Sequence, residues 1–367
     1  MVDFDSSESR SIQLMSDLRT AVFCSFALMC SLSAAIADEH KPAKSNPLFA
    51  DDSILEVTIT APISKLMRDR SSEDEMSGQL SYHDEESGPV VLDVGIRARG
   101  RFRREKDVCS FAPLRLNFKK QTTKKTLFTR TDKIKLVTHC RDKSVRYSQG
   151  VLKEYLAYRI LNTVTDKSFR VRLLQVTYVD TEDKKGNRVD FGFLIEPDED
   201  LAKRLGMKVL DIAGTTTSAL DSHHTNVTSV FQYLIGNTDF SPIQGAEGTT
   251  CCHNHVLLGP EQGPLLSVPY DFDMSGFVNA TYAVPNPRFR IRNVKIRLYR
   301  GRCVNNEYLD TTVQVYRERK QDIYQLVNGL TQLKPNTRKQ LIRYIDDFYA
   351  TLDDPEKRDS RLRERCI

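Results

Sequence analysis

The chain has 367 residues, eight cysteines and a net charge of +5 at neutral pH. That charge favours acidic or phosphate-bearing partners but falls short of marking a nucleic-acid binder, so no nucleic acid is expected. No C-x-x-C occurs, which leaves a zinc-ribbon fold without support.

Residues 1–14 are polar, and Met15 is an alternative start. From Met15 the chain shows a basic residue, an uncharged stretch over Ala21–Ala37 and a small-x-small triplet, Ala35-Ile36-Ala37, before Asp38. This is the pattern of a cleaved signal peptide over residues 1–37. The stretch is short for a bilayer span and rich in Ser, so no stable membrane span is expected after cleavage. Losing Arg10 and Arg19 with Asp3, Asp5, Glu8 and Asp17 raises the net charge from +5 to +7. The six cysteines that remain are Cys109, Cys140, Cys251, Cys252, Cys303 and Cys366, an even number that suits disulfides in an exported chain. The expected location is secreted or in the cell envelope.

After a polar lead-in over 38–52, the alternation in Ile54–Thr60 predicts a strand. Ala61–Met67 reads as a short helix, Asp69–Ser87 as an exposed loop and Val90–Ile96 as a second strand. Further strands are expected over Phe111–Phe118, Lys133–Thr138, Val171–Val179 and Asp190–Leu194. Gln149–Thr163 has helical spacing and a broad apolar face, with Glu154 early in it. Glu199–Leu205 is a further short helix, and Ser218–Ile235 contains one that ends at Gly236. Asp310–Leu330 and Asn336–Leu352 close the chain as helices. Strands first, then helices, give an α+β fold. The length admits one large domain over 53–367 or two lobes, about 53–180 and 181–367.

Arg97, Arg99, Arg101 and Arg103 share one face if the chain there is extended. Such a row suits phosphate, and it equally suits a charged edge strand protected from aggregation. A second basic stretch runs over Arg288–Arg302.

The stretch with most chemistry is Asn237–Gly276. Val256–Leu258 and Leu265–Val268 predict a hairpin around a Gly/Pro turn. Asp239 and Asn254 precede the hairpin, and Asp271 and Asp273 follow its second strand, so a hairpin brings the four together. Hard oxygen donors at a loop edge suit Mg²⁺, which takes one or two carboxylates plus phosphate oxygens. Asp and Asn also cap turns with no ligand involved. Cys251-Cys252-His253-x-His255 is a further candidate metal cluster that needs partners from elsewhere.

These residues resemble the CotH-type, spore-coat-kinase-like atypical protein kinases over roughly residues 94–276. The match runs through Arg99-Gly100-Arg101, Pro113-Leu114-Arg115-Leu116-Asn117-Phe118, Lys133–Val137 and Asp142-Lys143-Ser144. It continues through Asn237-Thr238-Asp239, Asn254–Leu258 and Pro269-Tyr270-Asp271-Phe272-Asp273. The resemblance implies a kinase-like fold, with a β-rich N-terminal lobe, a hairpin-based site and a helical C-terminal lobe. It implies ATP and Mg²⁺ or Mn²⁺ as cofactors, with a protein Ser/Thr substrate or an envelope or coat protein as partner. Asp239 would be the catalytic residue. Asn254 and Asp271 or Asp273 would hold the metal. Arg99, Arg115 or Lys135 would meet the phosphates, with Glu154 orienting Arg115 or Lys135. Two departures stand out: Asp239 and Asn254 are separated by an insertion, Ser241–Cys252, and the Ser of the family's R-G-x-S is missing. A kinase-like binding protein without turnover and a metal-dependent phosphoester hydrolase share the same residues.

Overall fold

Seven strands close into a barrel in the order β1-β2-β3-β4-β5-β7-β6. They are β1 (Leu55–Ala61), β2 (Met76–Asp84), β3 (Gly88–Ala98), β4 (Leu114–Phe118), β5 (Lys133–Val137), β6 (Val171–Asp180) and β7 (Arg188–Ile195). The computed structural model describes residues 46–70, 73–182, 186–246 and 248–367; the expected signal peptide lies outside the described residues. Neighbouring strands are antiparallel except β1 and β6, which pair in parallel from Leu55↔Leu174 to Ala61↔Asp180 and close the barrel. Ile59, Leu80, Ile96, Leu116, Ile134, Val176 and Leu194 alternate inward and fill it.

Leu136–Val137 of β5, Val171–Leu174 of β6 and Gly192–Ile195 of β7 are buried on both faces. Leu136, Leu174 and Leu194 point into the barrel, while Val137, Leu173 and Phe193 face a second core built on α2 (Val145–Val164). This explains why the last part of β7, Phe191–Ile195, carries no polar side chain. Helix α2 is correspondingly covered on most sides, by β7 and β6 on the barrel and by α4 and α6 beyond.

The remaining helices are α1 (Ile63–Arg68), α3 (Asp198–Arg204), α4 (Ser222–Ile235), α5 (Leu309–Glu318), α6 (Lys320–Gly329), α7 (Pro335–Leu352) and α8 (Pro355–Arg358). A small sheet, β8 (Lys208–Val209), β9 (His255–Gly259) and β10 (Leu266–Pro269), lies in the order β10-β9-β8. The α+β class is thus observed, with a β-barrel followed by helices. Ala43–Ile367 forms one compact unit. Among the described residues, no helix is long and apolar enough to cross a membrane.

Two sequence expectations are corrected. Asp69–Ser87 is not a loop throughout: β2 occupies Met76–Asp84, paired with β3 from Met76↔Ile96 to Asp84↔Gly88. Its outward Ser, Gln and His hid the inward Leu80 and Tyr82. The four-arginine row is also broken. Strand β3 ends at Ala98, Gly100 turns at φ +87°, and Phe102–Arg104 forms a 3₁₀ turn. Arg101 is left exposed and Arg103 is turned inside. A residue with a Cβ resists that φ, so Gly100 is what permits the change of direction.

Candidate active site

Helix α4 positions the first acidic residue. Asp221 caps its start by accepting the His224 N–H at 2.8 Å. Gly236, in the left-handed region at φ +63°, ends it. The following loop is fixed by the Asn237 side chain, which accepts the Asp239 N–H at 3.0 Å. Arg300 braces the same loop from below, donating from Nη1 to Thr238 O at 2.9 Å and Phe240 O at 2.7 Å. Its guanidinium lies between the rings of Phe240 and Phe289, at 4.5 and 4.6 Å.

The β9–β10 hairpin brings the other donors to Asp239. Val256 faces Val268, His255 faces Pro269, and the Tyr270 N–H then donates to Asn254 O at 3.0 Å. Asn254 therefore sits beside Asp271. Its Nδ2 donates to Asp239 O at 2.7 Å and to Asp239 Oδ2 at 3.1 Å. His253 Nε2 lies 2.8 Å from Asp239 Oδ1. The hydrogen bond to Asp239 raises the His253 pKa above that of ordinary imidazole. His255 turns the other way, with Nδ1 3.0 Å from Ser267 Oγ, and burial pushes it down to about 3.

Phe272 is the pivot of the Asp271–Asp273 turn. It is fully buried against Tyr158 of α2 and Phe231 of α4, at ring-centroid distances of 4.5 and 5.1 Å. Asp271 takes a left-handed backbone, φ +62°, and donates its N–H to the Tyr158 hydroxyl at 2.8 Å. Asp273 accepts the Tyr282 O–H at 2.9 Å. Arg103 Nη1 stands 4.0 Å from Asp273 and 3.6 Å from Glu154. Glu154 and Asp273 are both buried. Burial and the Asp273 charge hold the Glu154 carboxyl well above the carboxylate range, against the pull of Arg103. Burial and then Asp271 push Asp273 up to about 7.

Arg103 is held on a tethered loop. Its Nη2 donates to Thr138 O, and the disulfide Cys109–Cys140 ties the following turn to the same strand end, with Cα atoms 4.7 Å apart. Cys303–Cys366 and Cys251–Cys252 are the other sulfur pairs among the described residues. The pairing of Cys251 with Cys252 removes both from the proposed Cys/His metal cluster. Among the described residues no group of three or more His, Cys, Asp or Glu is arranged to hold a metal ion.

Compared with known proteins, the chain matches no family model and no curated protein.

A cleft of about 730 Å³ is lined by Arg99, Asp239, Asn254, Asp271 and Asp273, a volume that suits a small-molecule ligand. Arg115 and Lys135 lie in an adjoining depression with Arg97, Arg99 and Arg101. Arg97, Arg115 and Lys135 face one another across β3, β4 and β5. Glu73 pairs with Arg97, and with Arg104 at 3.2 Å. The expected partner of Glu154 is corrected. Lys135 Nζ is engaged by Asp198 at 2.8 and 3.2 Å, and the cation on Glu154 is Arg103. Strand β5 aims Lys135 at the start of α3, whereas the 3₁₀ turn after Gly100 swings Arg103 over α2. Arg103, Tyr282 and Arg300 were not legible as site residues, and His253, read as a candidate metal ligand, instead bonds to Asp239. Arg103 lay in a visible arginine run, but reading that run as extended placed it on the wrong face.

The donors suit a hard cation chemically. Asn254 spends its amide nitrogen on Asp239, which leaves its oxygen for a ligand. No hydrogen bond or ion pair of the Asp271 carboxylate occurs among the described residues, whereas Asp273 is engaged by Tyr282 and Arg103. Asp271 is thus the free carboxylate of the pair.

Proposed function

We propose that this protein is an exported, kinase-like phosphotransferase of the CotH type that uses ATP and Mg²⁺ or Mn²⁺ to phosphorylate protein Ser/Thr hydroxyls. The observation that carries the reading is the convergence of Asp239, Asn254 and Asp271 on one cleft between the barrel and the β9–β10 hairpin, backed by the buried Glu154–Arg103–Asp273 cluster. In this reading the barrel is the N-terminal lobe and the helices from α4 onward form the C-terminal lobe.

Asp271 and the Asn254 oxygen would hold the metal, with Asp273 supporting the turn. The metal, when bound, supplies charge neutralisation for the nucleotide phosphates. Arg99 faces the same space and offers a planar fork suited to phosphate oxygens. Arg115 and Lys135 extend that positive region outward. Asp239 would orient the acceptor hydroxyl and take its proton. The carboxylate is held in place by His253 and Asn254, and a protonated His253 would balance its charge. Glu154 fixes Arg103, and Arg103 fixes Asp273, so α2 sets the turn that carries Asp271.

One observation favours the alternative of a binding protein without turnover: both Asp239 oxygens already accept hydrogen bonds. The deciding experiment incubates the full chain with labelled ATP, Mg²⁺ or Mn²⁺ and a Ser/Thr-rich protein. Transfer to Ser or Thr supports the phosphotransferase. Nucleotide binding without transfer supports the alternative.

A further inference from the structure

Between Asp273 and Glu307 the chain carries seven Lys and Arg and no Asp or Glu. The structure places this segment against the Asp239 loop. Arg300 bonds to the carbonyls on either side of Asp239. A Cβ at Gly276 would strike Val294 O and Lys295, so these backbones touch in the middle of the basic stretch. Arg288, Arg290, Arg292 and Lys295 are exposed. None of the four makes an ion pair with a carboxylate among the described residues. Like charges gathered on one short segment repel one another unless an anionic partner meets them.

The patch continues onto α2. Lys153 donates to Val278 O, and its ammonium is pushed down to about 8, first by burial and then by Arg146 and Lys295. Val284 and Ile296, in the same segment, add exposed aliphatic surface. A polypeptide carrying acidic and apolar side chains can use both features. Single-stranded nucleic acid would want aromatic faces for its bases. Phe289 has a face covered by Arg300, Tyr299 is buried and Tyr282 is committed to Asp273.

We infer that the Arg288–Lys295 surface docks an acidic polypeptide segment, so that the acceptor hydroxyl presented to Asp239 is flanked by Asp and Glu. This inference rests on the phosphotransfer reading for its acceptor, though docking itself can be read without turnover. The test uses the full chain and its Arg288→Glu/Arg290→Glu/Arg292→Glu variant. The probes are a fluorescent Ser peptide flanked by Asp and Glu, the same peptide flanked by Lys, and an oligothymidylate. Binding is read by anisotropy and transfer by labelled ATP.

The parent should bind the acidic peptide at least about tenfold more tightly than the Lys peptide, and added salt should weaken that binding. The variant, whose changes are all exposed, should melt like the parent and lose the preference. Should it fail to fold, Arg290→Gln/Arg292→Gln carries the same expectation at smaller size. Equal binding of the two peptides, tighter binding of the oligothymidylate, or an unchanged preference in a folded variant overturns the inference. Acidic-peptide binding without phosphate transfer leaves docking standing and defeats the phosphotransfer reading. Transfer with no acidic preference does the reverse.

Discussion

Arg103→Met should expose the electrostatics that hold the site together. The arginine stands 3.6 Å from Glu154 and 4.0 Å from Asp273, and both carboxyls are buried. Met fills much of the same space but leaves the two acids without their cation. Removing one partner of a buried ion pair costs on the order of 3–5 kcal/mol. For a chain of this length that lowers Tm by about 5–8 °C.

The sign of the pH dependence is fixed by burial. Asp273 titrates at about 7 and Glu154 well above its ordinary value, even with Arg103 present. Without Arg103 both rise further. At low pH the folded variant carries them neutral; as pH rises, the unfolded chain ionises first and stability falls. The Tm deficit should therefore be larger at pH 8 than at pH 5, measured by thermal denaturation. Arg103→Met/Glu154→Gln should recover part of the loss at pH 8, because one of the stranded charges is gone. A deficit that is the same at both pH values, with no recovery in the double variant, refutes the reasoning.

Three further outcomes are expected. Cys109→Ser/Cys140→Ser should cost about 2–5 kcal/mol and loosen the turn carrying Arg103, which hydrogen exchange at residues 101–109 would show as faster amide exchange; unchanged protection there contradicts the tether. In proton NMR, His224 and His255 should stay neutral until about pH 4 and 3, because burial opposes their protonation. His253 should hold its proton to a higher pH than free imidazole, and Asp239→Asn should lower that midpoint by removing the anion; an unmoved midpoint would show that Asp239 does not act on it.

The hairpin was legible because its two strands are short, apolar and separated by Gly and Pro, and a hairpin must bring its ends together. Hence the meeting of Asn254 and Asp271 followed from local pattern, whereas Asp239 is brought to them by the end of α4, the Asn254 amide and Arg300. Helix α2 was legible by spacing, yet the partner of Glu154 was not. That pairing depends on one left-handed glycine, Gly100, and on a loop whose path is set by a disulfide 31 residues apart in sequence. Six cysteines allow many pairings, and periodicity says nothing about which sulfurs meet. Strand β2 was hidden for a related reason. Its outward face is polar, and its strand character comes from the inward Leu80 and Tyr82, whose burial depends on barrel closure. Strand β7, through Ile195, pairs with both β5 and β6, so the barrel continues past residue 180.

The central claim is that Asp239 and Asp271 divide the chemistry of one cleft. Equilibrium binding of a fluorescent ATP analogue, with and without Mg²⁺, measured beside phosphate transfer on the same Asp239→Asn and Asp271→Asn proteins, tests it most directly. Asp239→Asn should keep Mg²⁺-dependent binding and lose roughly 10²–10⁴-fold in transfer, the usual contribution of a positioned base. Asp271→Asn should lose the Mg²⁺ dependence of binding and the transfer together. If both variants fold, bind the nucleotide and transfer phosphate as the parent does, these residues are loop caps and the account fails.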